Sequence, residues 1–198
     1  MIRTVIALRR MTSSETLNRI SRFIDDVVLP RLNPLPNVPV ELRGDWSSDD
    51  GWHSWIAIAS PVSNDELDEL ERNVGLSLPP LFRAYFLYKQ MLDGDYGLVR
   101  LPDMQPSDPL ASLRSQIAIA ADPNCPALTQ HKLLPFGQDG NDGGPICFKT
   151  DQPTEAGDFP IYFADHELLS DPSYSGKRVW DSFEHLLVAI ESDILSYG

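Results

Sequence analysis

Apolar residues recur at helical spacing in the first two thirds of the chain and in short strand-like runs later. Leu17, Ile20, Ile24, Val27 and Val28 mark a first helix, with Thr12 and Glu15 at capping-box spacing and Pro30 as its stop. Ahead of it, Ile2 to Leu8 reads as a short strand or a lead-in. From Leu29 to Val40, four prolines within ten residues exclude a helix and predict an extended arm whose leucines and valines pack on the body. The run Trp52 to Ala59 carries the aromatic and β-branched residues of a strand, closed by Pro61.

The sharpest local signals follow. Ser63 stands three residues before Glu66, a capping box, with Asp65 in the same first turn. Leu67, Leu70 and Val74 give that helix its apolar face, and Gly75 sits where a left-handed C-terminal cap belongs. Pro79 and Pro80 open a second helix bearing Leu81, Phe82, Tyr85, Phe86 and Met91, stopped by Asp93-Gly94-Asp95. Tyr96 to Leu101 predicts a strand. Ser107 or Asp108 caps a helix from Pro109 to Ala121 that buries Leu110, Leu113, Ile117 and Ala120. Asp122 to Pro126 predicts a break.

The second half turns to β structure. Leu133 to Phe136 and Ile146 to Phe148 flank the polar loop Gly137 to Gly144 and predict a hairpin. Phe159 to Phe163 predicts the next strand, and a loop runs from Asp165 to Gly176. A closing helix begins near Asp181, with Phe183, Leu186, Leu187, Ile190 and Ile194 on its apolar face. Helices, then a meander, then a helix predict an α+β fold with a mainly antiparallel sheet, because the later strands lack helical crossovers. Residues 1–45 form the N-terminal helix and arm, and residues 46–198 the main domain.

The succession Ser63-Asn-Asp-Glu-Leu67, Glu71, Gly75-Leu-Ser-Leu-Pro79 and Tyr85-Phe86 resembles the opening of a SUKH-superfamily domain, the group around the Smi/Knr-type cell-wall-assembly regulators. Leu134-Pro-Phe-Gly137, the Asp-Gly loop, Ile146-Cys-Phe148, Pro160 to His166 and Phe183 to Leu187 are similar to its strands and closing helix. The resemblance covers about residues 61–190. It departs from the family pattern at Leu92-Asp-Gly-Asp95, where Asn-Gly-Gly is usual, and residues 1–45 have no counterpart. It implies a protein-binding module: many bacterial members resemble immunity proteins that neutralise toxins by direct binding, and eukaryotic relatives act as regulatory scaffolds. It implies no catalytic residues.

Charge narrows the field of partners. The chain carries 29 acidic and 16 basic residues, a formal net charge of −13. Residues 1–43 hold seven basic and four acidic side chains, net +3, and residues 44–198 hold nine and 25, net −16. That excess disfavours nucleic acid and anionic membranes, both of which are bound through Lys and Arg. It suits a basic protein partner, steered over about a Debye length, although an acidic surface also serves plain solubility. No apolar run reaches the length of a membrane span, and no signal-peptide core precedes the body. Cys125 and Cys147 lack metal-type spacing and read as free thiols. A cytoplasmic location is the expectation.

The candidate partner contacts are acidic loop residues with neighbouring aromatics: Asp93, Asp95, Tyr96, Asp139, Asp142, Asp165, Glu167 and Tyr174. A basic toxin domain, such as a nuclease, is the partner such a surface would fit. Asp is equally at home in ordinary turns, where it bonds the local backbone. No cofactor or metal is implied. Asp139 to Gly143 fails as a calcium loop, since Gly143 and Thr150 stand where oxygen ligands belong. The alternatives to an immunity protein are a regulatory scaffold without a toxin partner, and a hydrolase or small-ligand binder with a pocket near His166. No serine sits in a nucleophile elbow, and the four tryptophans read as core or core-edge residues.

Overall fold

In the computed structural model, residues 14–196 are described; Ile2 to Leu8 and Thr12 lie outside them. The first helix, α1 (Ser14–Arg22), widens into a π-helical stretch at Phe23–Val28 and tightens into a 3-10 turn at Leu29–Arg31. Pro30 is thus accommodated inside the last turn instead of lying beyond it. Ile20, Phe23, Ile24 and Val28 are buried along this stretch. The widened turn contributes Phe23 and Ile24 as adjacent buried side chains.

The proline-rich segment supplies β1 (Leu35–Pro36), followed by β2 (Arg43–Ser47) and β3 (Trp52–Trp55). They form a three-stranded antiparallel sheet in the order β1-β3-β2. Val38, Leu42 and Trp55 join the main core, and the Trp55 indole N–H donates to the Asn33 carbonyl at 3.1 Å. The strand predicted to Ala59 stops at Trp55. Trp46 and Trp52 are exposed, at 51% and 43%, so the expectation that all four tryptophans are core or core-edge residues does not hold for these two.

Helix α2 (Asn64–Val74) follows local rules. Ser63 accepts the Glu66 N–H while the Glu66 carboxylate accepts the Ser63 N–H at 2.8 Å, and Gly75 closes the helix at φ 73°. Glu71 is buried and turns back into the next connection. Its carboxylate accepts the Leu78 N–H at 2.7 Å and pairs with Arg83 at 3.0 Å. The glutamate, the Gly-to-Leu-Pro turn and helix α3 (Pro80–Tyr88) are therefore one structural device, with Glu71 fixing the angle between two helices. Helix α3 ends at Tyr88, short of Met91, which is nonetheless fully buried.

Beyond it lie β4 (Val99–Arg100), α4 (Ala111–Ala118) and α5 (Pro126–Gln130), then β5 (Leu133–Asp139), β6 (Pro145–Lys149), β7 (Ile161–Phe163), β8 (Lys177–Trp180) and α6 (Phe183–Ser196). The five later strands form an antiparallel meander in chain order, β4 to β8. Two elements differ from expectation. The predicted break at Asp122–Pro126 leads into α5, whose Leu128 is buried, and β8 occupies the stretch between the predicted loop and the closing helix, to which no element is assigned from sequence. The strand expected over Tyr96 to Leu101 shrinks to Val99–Arg100.

The core centres on Phe82 of α3. Its ring meets Phe86, Phe136, Phe148 and Phe183 edge-on at centroid distances of 5.1 to 5.3 Å. Phe136 and Phe148 stack at 3.9 Å across β5 and β6, where the register slips between Pro135 and Gly137. Edge-on and offset ring contacts add to area burial. The opposite sheet face carries a smaller cluster of Leu128, Leu133, Cys147, Ala164 and Leu169. Strand β6 is buried along its whole length. Burial pushes the Cys147 thiol well above its ordinary pKa, as suits an inert core residue. Asp158, also buried, accepts the Phe183 N–H at 3.0 Å and so caps the start of α6.

Candidate functional site

The acidic loops converge because glycines let backbones approach. A Cβ on Gly140 would lie 1.7 Å from the Gly97 carbonyl oxygen, and one on Gly144 would lie 2.1 Å from that of Ala164. The Gly140 N–H donates to the Leu98 carbonyl at 3.1 Å, and the His166 N–H to the Gly143 carbonyl at 3.0 Å. The β5–β6 loop is thereby clamped between the turn before β4 and the segment after β7. Three parts of the chain meet at this end of the larger sheet.

Within this loop face, Asp139 shapes its own turn. Its Oδ2 accepts the N–H groups of Asn141 at 3.1 Å and Gly143 at 3.4 Å, a local turn network. Asp93 accepts the Asp95 N–H and Asp95 the Gly97 N–H, both at 2.9 Å. Asp95 and Asp142 then converge on one cation, Arg100. Its guanidinium pairs with both carboxylates and donates to the Gly140 carbonyl at 3.0 Å. Arg100 was not among the sequence candidates. Nothing local links residue 100 to residue 142; only the pairing of Val99 with Asp139 and Arg100 with Gln138 brings them together.

Beside Arg100 opens a cleft of about 360 Å³, with Asp93, Asp95 and Asp103 on its acidic side and Gln116 and Gln138 opposite. The Gln138 amide donates to the Gln116 carbonyl oxygen at 2.9 Å. Burial lifts the Asp93 carboxyl above its ordinary pKa, the N–H of Asp95 opposes the rise, and the charges of Asp95 and Asp103 add to it.

Asp165, His166, Glu167 and Tyr174 adjoin this face through Gly143. His166 is exposed and its Nδ1 donates to the Gly143 carbonyl at 2.8 Å. It does not line the cleft. Asp165 accepts the Glu167 N–H at 3.0 Å, and the Tyr174 hydroxyl accepts the Asp165 N–H at 3.0 Å. Asp95, Asp142 and Glu167 are exposed, and Asp93, Asp139, Asp165 and Tyr174 are half-buried. Tyr96 lies elsewhere. It is 7% exposed, packs edge-on to Phe23 and shares a 2.9 Å hydroxyl–hydroxyl bond with buried Tyr85, so its ring belongs to the core.

Among the described residues, no group of three or more His, Cys, Asp or Glu is arranged to hold a metal ion, and no helix is long and apolar enough to cross a membrane. No curated protein matches the chain. The family model for the SMI1 / KNR4 family (SUKH-1) matches residues 61–189, from the approach to α2 into α6. That span holds the Glu71 device, the Phe82 junction and the whole loop face, and the chain belongs to the SMI1 / KNR4 family (SUKH-1).

Proposed function

We propose that the chain is a non-enzymatic protein-binding module, an immunity protein that neutralises a toxin by covering it with the loop face. The observation that carries the reading is the gathering of Asp93, Asp95, Asp139, Asp142, Asp165 and Glu167 from three chain segments onto one clamped surface. Family membership supports it, since SUKH domains typically bind a partner protein. A basic toxin, such as a nuclease with a phosphate-binding groove, is the complement of a body whose residues 44–198 carry a net charge of −16.

The arrangement fits such a role physically. The loops are held by backbone contacts and Asx turns, so little ordering entropy is lost on contact. Arg100 ties Asp95 and Asp142 in place without cancelling the acidic excess. The cytoplasm, where a self-directed toxin must be met, is the proposed location. The test is to look for a toxin gene immediately upstream of this chain's own and to co-express its product with the chain. Growth rescue is expected, and rescue should weaken when Asp95, Asp142 and Glu167 become asparagine or glutamine together. A chain that binds no toxin and restores no growth would sink the immunity reading.

A further inference from the structure

The three-stranded sheet presents a second surface, built from residues that precede the family match. Its two faces differ. Trp55 is buried toward the core at 4% exposure, so the alternate residues Trp52, Ser54 and Ile56 face outward. Ser54 is bonded to the Trp46 backbone, its Oγ accepting the N–H at 3.0 Å and donating to the carbonyl at 3.2 Å. A Cβ on Gly44 would come within 2.5 Å of the Ser54 Oγ, so Gly44 and Ser54 form a low floor beside the two indoles. Trp46, Trp52 and Ile56 are 51%, 43% and 50% exposed. Tryptophan is costly to leave in water and enriched where partners dock.

Charge specifies the partner. Asp45, next to Trp46 on β2, and Asp49 and Asp50, in the turn between β2 and β3, are exposed. Asp50 accepts a hydrogen bond from Ser48, but no Lys or Arg among the described residues pairs with any of the three. The neighbouring Arg43 is directed away, donating to the Val38 carbonyl at 2.9 Å. On the loop face, by contrast, Arg100 compensates two carboxylates. Strand β2 is also the edge of its sheet. We infer that this face is a docking site for an arginine-rich extended segment of a partner protein. Guanidinium planes stack on Trp46 and Trp52 while Asp45, Asp49 and Asp50 supply the countercharge.

The inference stands apart from the loop face, because none of that face's residues takes part. Its probe is an alternating Arg-Ser dodecapeptide titrated calorimetrically into the full chain at physiological salt. Saturable binding is expected, lost when citrulline replaces arginine. Trp46→Ala with Trp52→Ala should weaken binding at least tenfold, and Asp45→Asn with Asp49→Asn and Asp50→Asn should do the same. The second set keeps the test open if the tryptophan variant fails to fold. Asp139→Asn with Asp142→Asn should change binding less than twofold. Wild-type affinity in the tryptophan and aspartate variants overturns the inference, as does equal weakening by the loop variant, which would mean generic attraction to an acidic protein. Sedimentation of the wild type supplies the last check: a dimer dissolved by the tryptophan variant would assign the face to a second copy and overturn the inference as well. Loss of toxin rescue with intact peptide binding would strike the immunity reading alone.

Discussion

Glu71 offers the sharpest test of how the family's helical opening is held. In Glu71→Ala, the Leu78 N–H, on a residue 4% exposed, loses its only acceptor in the connection, and Arg83 loses one of three partners. A buried, unsatisfied N–H costs about 1–3 kcal/mol. Breaking a buried ion pair by removing one partner costs about 3–5 kcal/mol when the survivor is stranded. Arg83 is not stranded, since Asp68 and Asn64 still accept from it at 3.0 Å each. The ion-pair cost therefore does not apply in full, and the total should fall at about 3 kcal/mol, below the sum of the two ranges. In a domain of this size that lowers Tm by about 6–12 °C. Glu71→Gln keeps an oxygen for the Leu78 N–H and should lose only about 1 kcal/mol. Urea unfolding at neutral pH, with the slope checked for constancy, reads both. If the alanine and glutamine variants were equally mild, within about 0.5 kcal/mol of wild type, the carboxylate would not be what fixes the two helices.

Further outcomes follow from other contacts. Gly140→Ala drives a Cβ into the Gly97 carbonyl and should cost about 2 kcal/mol or more, with hydrogen exchange accelerated first at Gly140 and Asn141. Tyr85→Phe strands the Tyr96 hydroxyl and should cost about 1–2 kcal/mol, whereas the double change with Tyr96→Phe should cost less than the two singles summed. Asp25 is opposed by burial, but hydrogen bonds from Lys89 and Tyr88 win and hold its pKa below the ordinary value. Its contribution is therefore present above the unfolded pKa and lost as pH falls through the folded one, so the stability gap between wild type and Asp25→Asn should be open at pH 7 and close below about pH 4. The same variant should return Tyr88, now pushed up to about 12 by its bond to Asp25, toward the ordinary tyrosine range in an ultraviolet titration. Arg100→Gln should raise the association rate with a basic partner several-fold at low salt and leave the rate at high salt nearly unchanged.

What the sequence disclosed tracks how local the determining physics is. The α2 boundaries follow from Ser63, Glu66 and Gly75, each acting within one turn of its own position. The β5–β6 hairpin follows from two apolar runs around a glycine-rich loop. Strand β8 was invisible because Lys177, Arg178 and Val179 are exposed at the sheet edge and carry no apolar alternation. Helix α5 was hidden behind Pro126, which reads as a breaker but sits at a helix start. Trp46 and Trp52 escaped because a sheet covered on one side puts alternate residues in water, and composition does not say which. In the loop face the aspartates announced themselves, while Arg100 did not, since its partners lie on other strands. Tyr96 looked like a surface aromatic beside acidic turn residues; the positive φ of Gly97 at 74° lets the chain reverse after placing that ring inside.

The aromatic junction around Phe82 also sets an order of events during synthesis. Strands β5 to β8 pair with their neighbours in the chain, so that part of the meander can form as it emerges, whereas β4 meets β5 only across α4 and α5. Phe183, which closes the cluster against Phe82, Phe136 and Phe148, arrives only with the last helix. Until the ribosome delivers that segment, three phenylalanines wait without a lid, and a nascent chain stalled before α6 is the form most in need of a chaperone.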